Sequence, residues 1–180
     1  KNEKEFYNLY YTHVFDKNEK EYFTEKQLDN GPIAIDIDLR YESSITERQH
    51  GENEIIDIVD LYARWISNLC ILEDNIEFEV LVMHKPNVNI LENKTKDGIH
   101  IIFTVNVDRE IQILLRKKVM DELHEGWIES MPLIDTDDII DGSVTRGQSN
   151  WQLYGSRKPK HEAYKLTHVH TSCNIITKIK

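Results

Sequence analysis

Period-two alternation in three β-rich runs, two amphipathic helices set between them, and the order in which they follow one another predict an α+β fold of the split βαβ type. The sheet is expected to be antiparallel, with the helices on one face and extra strands towards the C-terminus. At 180 residues the chain is long enough for one domain with a real core. It holds no internal repeat, low-complexity tract or Gly/Ser linker, so residues 1–180 are expected to form a single domain.

After a helical N-terminal segment, Asn30-Gly31-Pro32 reads as a breaker, and Ile33-Ala34-Ile35-Asp36-Ile37-Asp38-Leu39 alternates strictly, which marks a strand. From Glu54 the apolar residues Ile55, Ile56, Val59, Tyr62, Ile66 and Leu69 recur at helical steps, predicting an amphipathic helix that ends near Leu72. Ile76 to Met83 and Ile99 to Val105 are β-rich runs parted by a polar loop containing Pro86 and Asp97-Gly98, hence two more strands. Asp108 is the expected N-cap of a second helix, in which Ile111, Leu115, Val119, Leu123 and Trp127 share one face. Beyond Pro132, Ile139-Ile140 and Trp151 to Tyr154 read as short strands, followed by alternating segments at Tyr164 to His170 and Ile175 to Ile179. In this order of elements the first and third strands lie side by side in the centre, and the sheet face away from the helices is open for a ligand.

The formal net charge is −10, which speaks at first against a nucleic-acid partner, because phosphate binding needs a basic surface. The charge is segregated, however. Residues 142–180 carry seven Lys or Arg and one acid, Glu162, a net of +6, whereas residues 1–141 carry 15 basic and 31 acidic groups, a net of −16. The C-terminal quarter is the phosphate-compatible part. No apolar run approaches bilayer length and no signal-peptide region follows Lys1, so a soluble intracellular protein with no membrane partner is expected. The chain opens on Lys1 rather than Met, and the expectation is a piece of a longer protein. Cys70 and Cys173 belong to no CxxC or Cys/His cluster of zinc-finger spacing; both are expected as reduced thiols, Cys70 packed in its helix.

Strand alternation carries the chemistry. Ile33, Ile35, Ile37 and Leu39 must face the helices, which turns Ala34, Asp36, Asp38 and Arg40 to the open face. Asp36 and Asp38 then stand about 7 Å apart on one strand. In the third strand Ile99, Ile101, Phe103 and Val105 form the core set, so His100 arrives beside the two carboxylates. Like charges so placed repel unless a cation, a proton or a basic side chain compensates them, and hard divalent ions such as Mg²⁺ prefer carboxylate oxygens. A further Asp141 follows the apolar pair Ile139-Ile140. Thr95-Lys96-Asp97-Gly98 is expected to make a tight turn before His100, converging cationic and N–H donors on a triphosphate. Ser156-Arg157-Lys158-Pro159-Lys160 is a basic run that fits phosphate or plain solvent exposure.

Taken together, these residues resemble the archaeo-eukaryotic primase superfamily over roughly residues 33 to 168. Three motifs carry the likeness: Ile35-Asp36-Ile37-Asp38, Gly98-Ile99-His100 and Ile140-Asp141. The phrases Asp97 to Phe103 and Asn150 to Pro159 look most like primase-helicases of large cytoplasmic DNA viruses, of an asfarvirus or mimivirus-like source. Val144 to Lys158 is also similar to the eukaryotic primase-polymerase that restarts stalled forks. The resemblance implies an RNA-recognition-like primase palm that makes primers on single-stranded DNA from nucleoside triphosphates. It implies Mg²⁺ or Mn²⁺ in a two-metal site on Asp36, Asp38 and Asp141. Nucleotide contacts are implied at His100, Lys96, Gly98, Arg146, Arg157 and Lys158, with Gly98 where many relatives have serine. A helicase domain elsewhere in the full-length chain and a cytoplasmic viral replication site follow from the same likeness; the chain itself has no Walker-type loop.

Two rivals stay open on the residues alone. A noncatalytic RNA-recognition-like binding module would stack bases on aromatic residues of the central strands, where this chain has Asp36, Asp38 and His100. A nicking endonuclease of the rolling-circle type would use a His-x-His pair, which His168-Val169-His170 offers, with a tyrosine nucleophile.

Overall fold

The computed structural model describes residues 2–71 and 76–172. The chain opens with α1 (Glu3–Tyr11), which runs on into a π-helical turn (Thr12–Asp16). It continues through β1 (Thr24–Glu25), β2 (Asn30–Tyr41), α2 (Glu52–Leu69), β3 (Glu79–His84), β4 (Asn89–Ile90) and β5 (Thr95–Asp108). Then come α3 (Arg109–Ser130), the single turn α4 (Gly142–Thr145), β6 (Trp151–Gln152) and β7 (Lys165–Thr171). Among the described residues no helix is long and apolar enough to cross a membrane.

The fold is α+β. The main sheet has the order β2-β5-β3-β7, all antiparallel, with β4 also paired to β5. Bridges from Ile37 to Ile140 and from Tyr41 to Leu133 lay the segment after α3 against β2. That segment stands where the fourth strand of a split βαβ unit belongs, so β2 and β5 are the inner pair, as the order of elements predicts. The small second sheet pairs β1 with β6.

Burial follows the pleat. Ile33, Ile35, Ile37, Leu39 and Tyr41 of β2, with Ile99, Ile101, Phe103 and Val105 of β5, are buried in one core. The helices supply the other half: Ile55, Ile58, Val59, Tyr62 and Ile66 from α2, and Leu115, Val119, Leu123 and Trp127 from α3. At the end of this layer Asp97 is buried and takes the Arg48 guanidinium on both oxygens, at 2.8 and 3.0 Å. A fork on a carboxylate satisfies the charge that burial leaves unsolvated.

Several details differ from the sequence-based expectations. Asn30-Gly31-Pro32 does not break the strand: β2 starts at Asn30 and absorbs Pro32 at a register shift between Pro32 and Ile33. Thr95 to Gly98 form no turn but the first residues of β5, paired to Tyr41 through Asp38; the chain reverses earlier, where Leu91 N–H donates to Lys94 O at 2.9 Å. Asp108 does sit at the N-cap of α3, yet its carboxylate accepts from Asn30 Nδ2 rather than from the helix. The helix expected to end near Leu72 ends at Leu69, with Cys70 half-buried against the core. Leu72, Cys173 and the alternating run Ile175 to Ile179 lie outside the described residues. The face away from the helices is not wholly open, because Ala34, Met83, Val144, Trp151 and Tyr164 make a second, smaller apolar cluster on it.

Leu115 is fully buried between α3 and the sheet. Replacing it by alanine is expected to cost about 3 kcal/mol in urea unfolding; a loss below about 1 kcal/mol would contradict this core.

Candidate active site

Asp36 and Asp38 project from β2 on the side opposite the helix core, and the ladder pairs Asp36 with His100 and Asp38 with Gly98 on β5. The third aspartate comes from the other flank. Asp38 N–H donates to Ile139 O at 2.8 Å, and Asp141 N–H to Asp36 O at 2.8 Å. These bonds extend the β2 ladder just far enough to seat Asp141 beside Asp36. The Asp141 carboxylate then accepts from Ser143 N–H at 2.7 Å and caps α4.

A cleft of about 720 Å³ opens over this floor. Asp36, Asp38 and Asp141 line it together with Lys85, Lys96, Lys158 and His100. The sequence-predicted Gly98 lines it too. Arg146 and Arg157 are not among the lining residues: Arg146 Nε reaches Gln148 Oε1 at 3.1 Å, and Arg157 N–H is tied to Glu21 O at 2.8 Å. His168 and His170 are outside the lining as well; His168 on β7 lies near His84 on the adjacent β3, ring centroids 5.9 Å apart.

Residues that the sequence did not single out complete the site. Lys85 follows Met83 by two positions and so shares its sheet face, a parity that could have exposed it. Tyr164 and Trp151 close on His100 from a loop and from β6, and no local pattern announces such a contact. Arg40 lies beside Asp38 at 3.3 Å and also holds Asp135 at 2.6 Å.

The electrostatics separate the carboxylates. Burial alone would raise Asp36, but the His100 ring and the charges of Lys158 and Lys85 outweigh it and hold Asp36 below the usual carboxylate range. Burial pushes Asp38 up, and so do its neighbours Asp36 and Asp141, against the pull of Arg40 and Lys96. Burial likewise pushes the Lys85 ammonium down, with Lys158 adding to the effect.

Among the described residues no three His, Cys, Asp or Glu side chains stand close enough to hold a metal ion as placed. The donor chemistry fits a hard divalent cation all the same. His100 Nε2 lies 3.5 Å from Asp36 Oδ1 without hydrogen-bond alignment, and that oxygen is buried with no hydrogen-bond partner. Asp36 and Asp141 both repel charge from Asp38, which a cation between them would relieve.

An antiparallel sheet thus carries a carboxylate floor in a cleft that lysines also line. Residues 1–170 match the family described as "C962R protein N-terminal AEP domain", and the chain belongs to that family of archaeo-eukaryotic primase domains. It is also 26% identical over 153 residues to the "Putative helicase L207/L206" of Acanthamoeba polyphaga mimivirus, a match covering 83% of this chain. The chain spans 16% of the length of that relative.

Asp38 sets a sign for the pH dependence of stability. Its folded-state pKa lies above its unfolded one, so its contribution is most favourable below the ordinary aspartate value and is lost as pH rises through the raised value. Asp38→Asn is therefore expected to raise the Tm at neutral pH, with the difference from wild type disappearing in acid. Calorimetry across that range checks it, and a lower Tm for the variant at neutral pH would contradict the repulsion.

Proposed function

We propose that this domain makes primers by template-directed nucleotidyl transfer on single-stranded DNA. One observation carries the reading: Asp36 and Asp38 on β2 and Asp141 on its flank line one cleft together with Lys85, Lys96, Lys158 and His100. Asp36, Asp38, Asp97, Asp141 and Glu162 line the cleft against Lys85, Lys96 and Lys158, so the lining would suit phosphate once a divalent cation sits on the aspartates.

Asp36, Asp38 and Asp141 would hold Mg²⁺ or Mn²⁺, which supplies charge neutralisation and a lower pKa for an attacking 3′-hydroxyl. The remaining work falls to the chain's own groups. Asp36, kept below the usual carboxylate range, stays ionised at working pH. Lys85, Lys96 and Lys158 face the cleft and balance triphosphate charge, and His100 Nε2 offers an N–H donor beside Asp36. Catalysis on this plan is positioning and charge compensation rather than proton transfer by the protein.

The helicase name and the greater length of the mimivirus relative support a helicase region in the same longer polypeptide; a cytoplasmic viral replication site is part of the same proposal.

Incubating the protein with single-stranded template, Mn²⁺ or Mg²⁺ and either ribo- or deoxyribonucleotides is expected to yield short products. The Asp36→Ala/Asp38→Ala double variant should lose synthesis by about a thousandfold or more while keeping its circular dichroism spectrum. Undiminished synthesis would sink the assignment. Saturating Mn²⁺ should raise the Tm of wild type and leave that of the double variant unchanged, since ligand binding to the folded state stabilises it.

A further inference from the structure

The inner wall of the cleft is a stack of four side chains. Tyr164 lies on His100 with ring centroids 3.5 Å apart and planes 14° apart, and Trp151 lies 4.3 Å from His100 at 38°. His100 is thus packed against two rings. With one face of Tyr164 on His100, Lys85 Nζ sits over the other, 4.7 Å from the ring centroid. Such a cation is held by the ring's electron-rich face.

Gly98 lies directly beneath the Tyr164 hydroxyl. A Cβ at position 98 would be 2.5 Å from Tyr164 Oη but 3.5 Å from Cζ. The first distance demands a displacement; the second is ordinary contact. Alanine at 98 therefore clashes with tyrosine at 164 and is compatible with phenylalanine there. The backbone does not ask for glycine, since the glycines of positive φ are Gly147 and Gly155, and Gly98 is paired within β5. Space for the hydroxyl is what the glycine provides.

We propose that Tyr164 is the positioning residue that holds His100 Nε2 towards Asp36 and Lys85 towards the cleft, and that position 98 is glycine to admit the Tyr164 hydroxyl. An imidazole stacked on Tyr164 and packed against Trp151 is held in the plane that points Nε2 at the carboxylate. Removing the Tyr164 ring frees His100 and Lys85 together. The effect on turnover rests on the nucleotidyltransferase reading, whereas the coupling between positions 98 and 164 does not.

Gly98→Ala, Tyr164→Phe, their combination and Tyr164→Leu test this in the full chain. The His100 ring-proton signals report the stack through ring currents, and kcat and KM for the nucleotide report its consequence. Gly98→Ala is expected to move those signals and lower kcat/KM about a hundredfold, as an ångström of misplacement does. Tyr164→Leu should move the signals and raise KM, and Tyr164→Phe alone should leave the signals in place. Adding Tyr164→Phe to Gly98→Ala should restore both readouts, a coupling of about tenfold or more. Unmoved His100 signals in Gly98→Ala or Tyr164→Leu overturn the proposal, as does a double variant no better than Gly98→Ala. Should Gly98→Ala fail to fold, a folded double variant upholds the proposal and an unfolded one overturns it. Should wild type make no product, the signals alone decide: shifts in the expected pattern uphold the stack while the nucleotidyltransferase reading falls.

Discussion

Two backbone hydrogen bonds, Asp38 N–H to Ile139 O and Asp141 N–H to Asp36 O, each 2.8 Å long, hold the rest of the cleft in place. They bring a carboxylate from the segment after α3 to a strand that already carries two. Without them the sheet would still pack against its helices, but Asp141 would have no fixed relation to Asp36. The burial of Ile139 and Ile140 in the helix-side core fastens the same segment from below. Core packing and site geometry are thus joined through three consecutive residues.

That gathering of negative charge explains the character of the surroundings. Asp36 is kept ionised by His100, Lys158 and Lys85, while Asp38 is pushed up by burial and by its two acidic neighbours. A domain selected for stability alone would not keep Asp38 there; strain of this sort belongs to sites that act on charged ligands. The lysines that answer the aspartates come from three places, β5, the residue after β3, and the loop before β7, so the cleft is a product of the tertiary fold. The long range of this compensation also explains how a chain of net charge −10 presents a cationic rim to phosphate.

Much of this was legible in the sequence because a strand has a period of two. Ile33 to Leu39 alternates so strictly that the open-face placement of Asp36 and Asp38 follows from the pleat, and the parity of Ile99 to Val105 places His100 opposite Asp36 in the observed ladder. Glycine and aspartate misled where they stood together. Asp97-Gly98 suggested a turn, yet Asp97 is a buried partner of Arg48 and Gly98 makes room for Tyr164, both inside a strand. Tyr164 and Trp151 were silent because their roles depend on contacts between distant segments, which no local periodicity records, whereas the parity of Lys85 with Met83 could have exposed it. Arg146 and Arg157, drawn in by resemblance and by their basic neighbourhood, stand outside the cleft lining.

Diffraction at the manganese edge from crystals grown with Mn²⁺ and a non-hydrolysable nucleoside triphosphate tests the central claim most directly. Anomalous density is expected against Asp36, Asp38 and Asp141, with the triphosphate turned towards Lys85, Lys158 and His100. Manganese bound elsewhere, or a triphosphate seated in the cleft with no metal at the three aspartates, would contradict it.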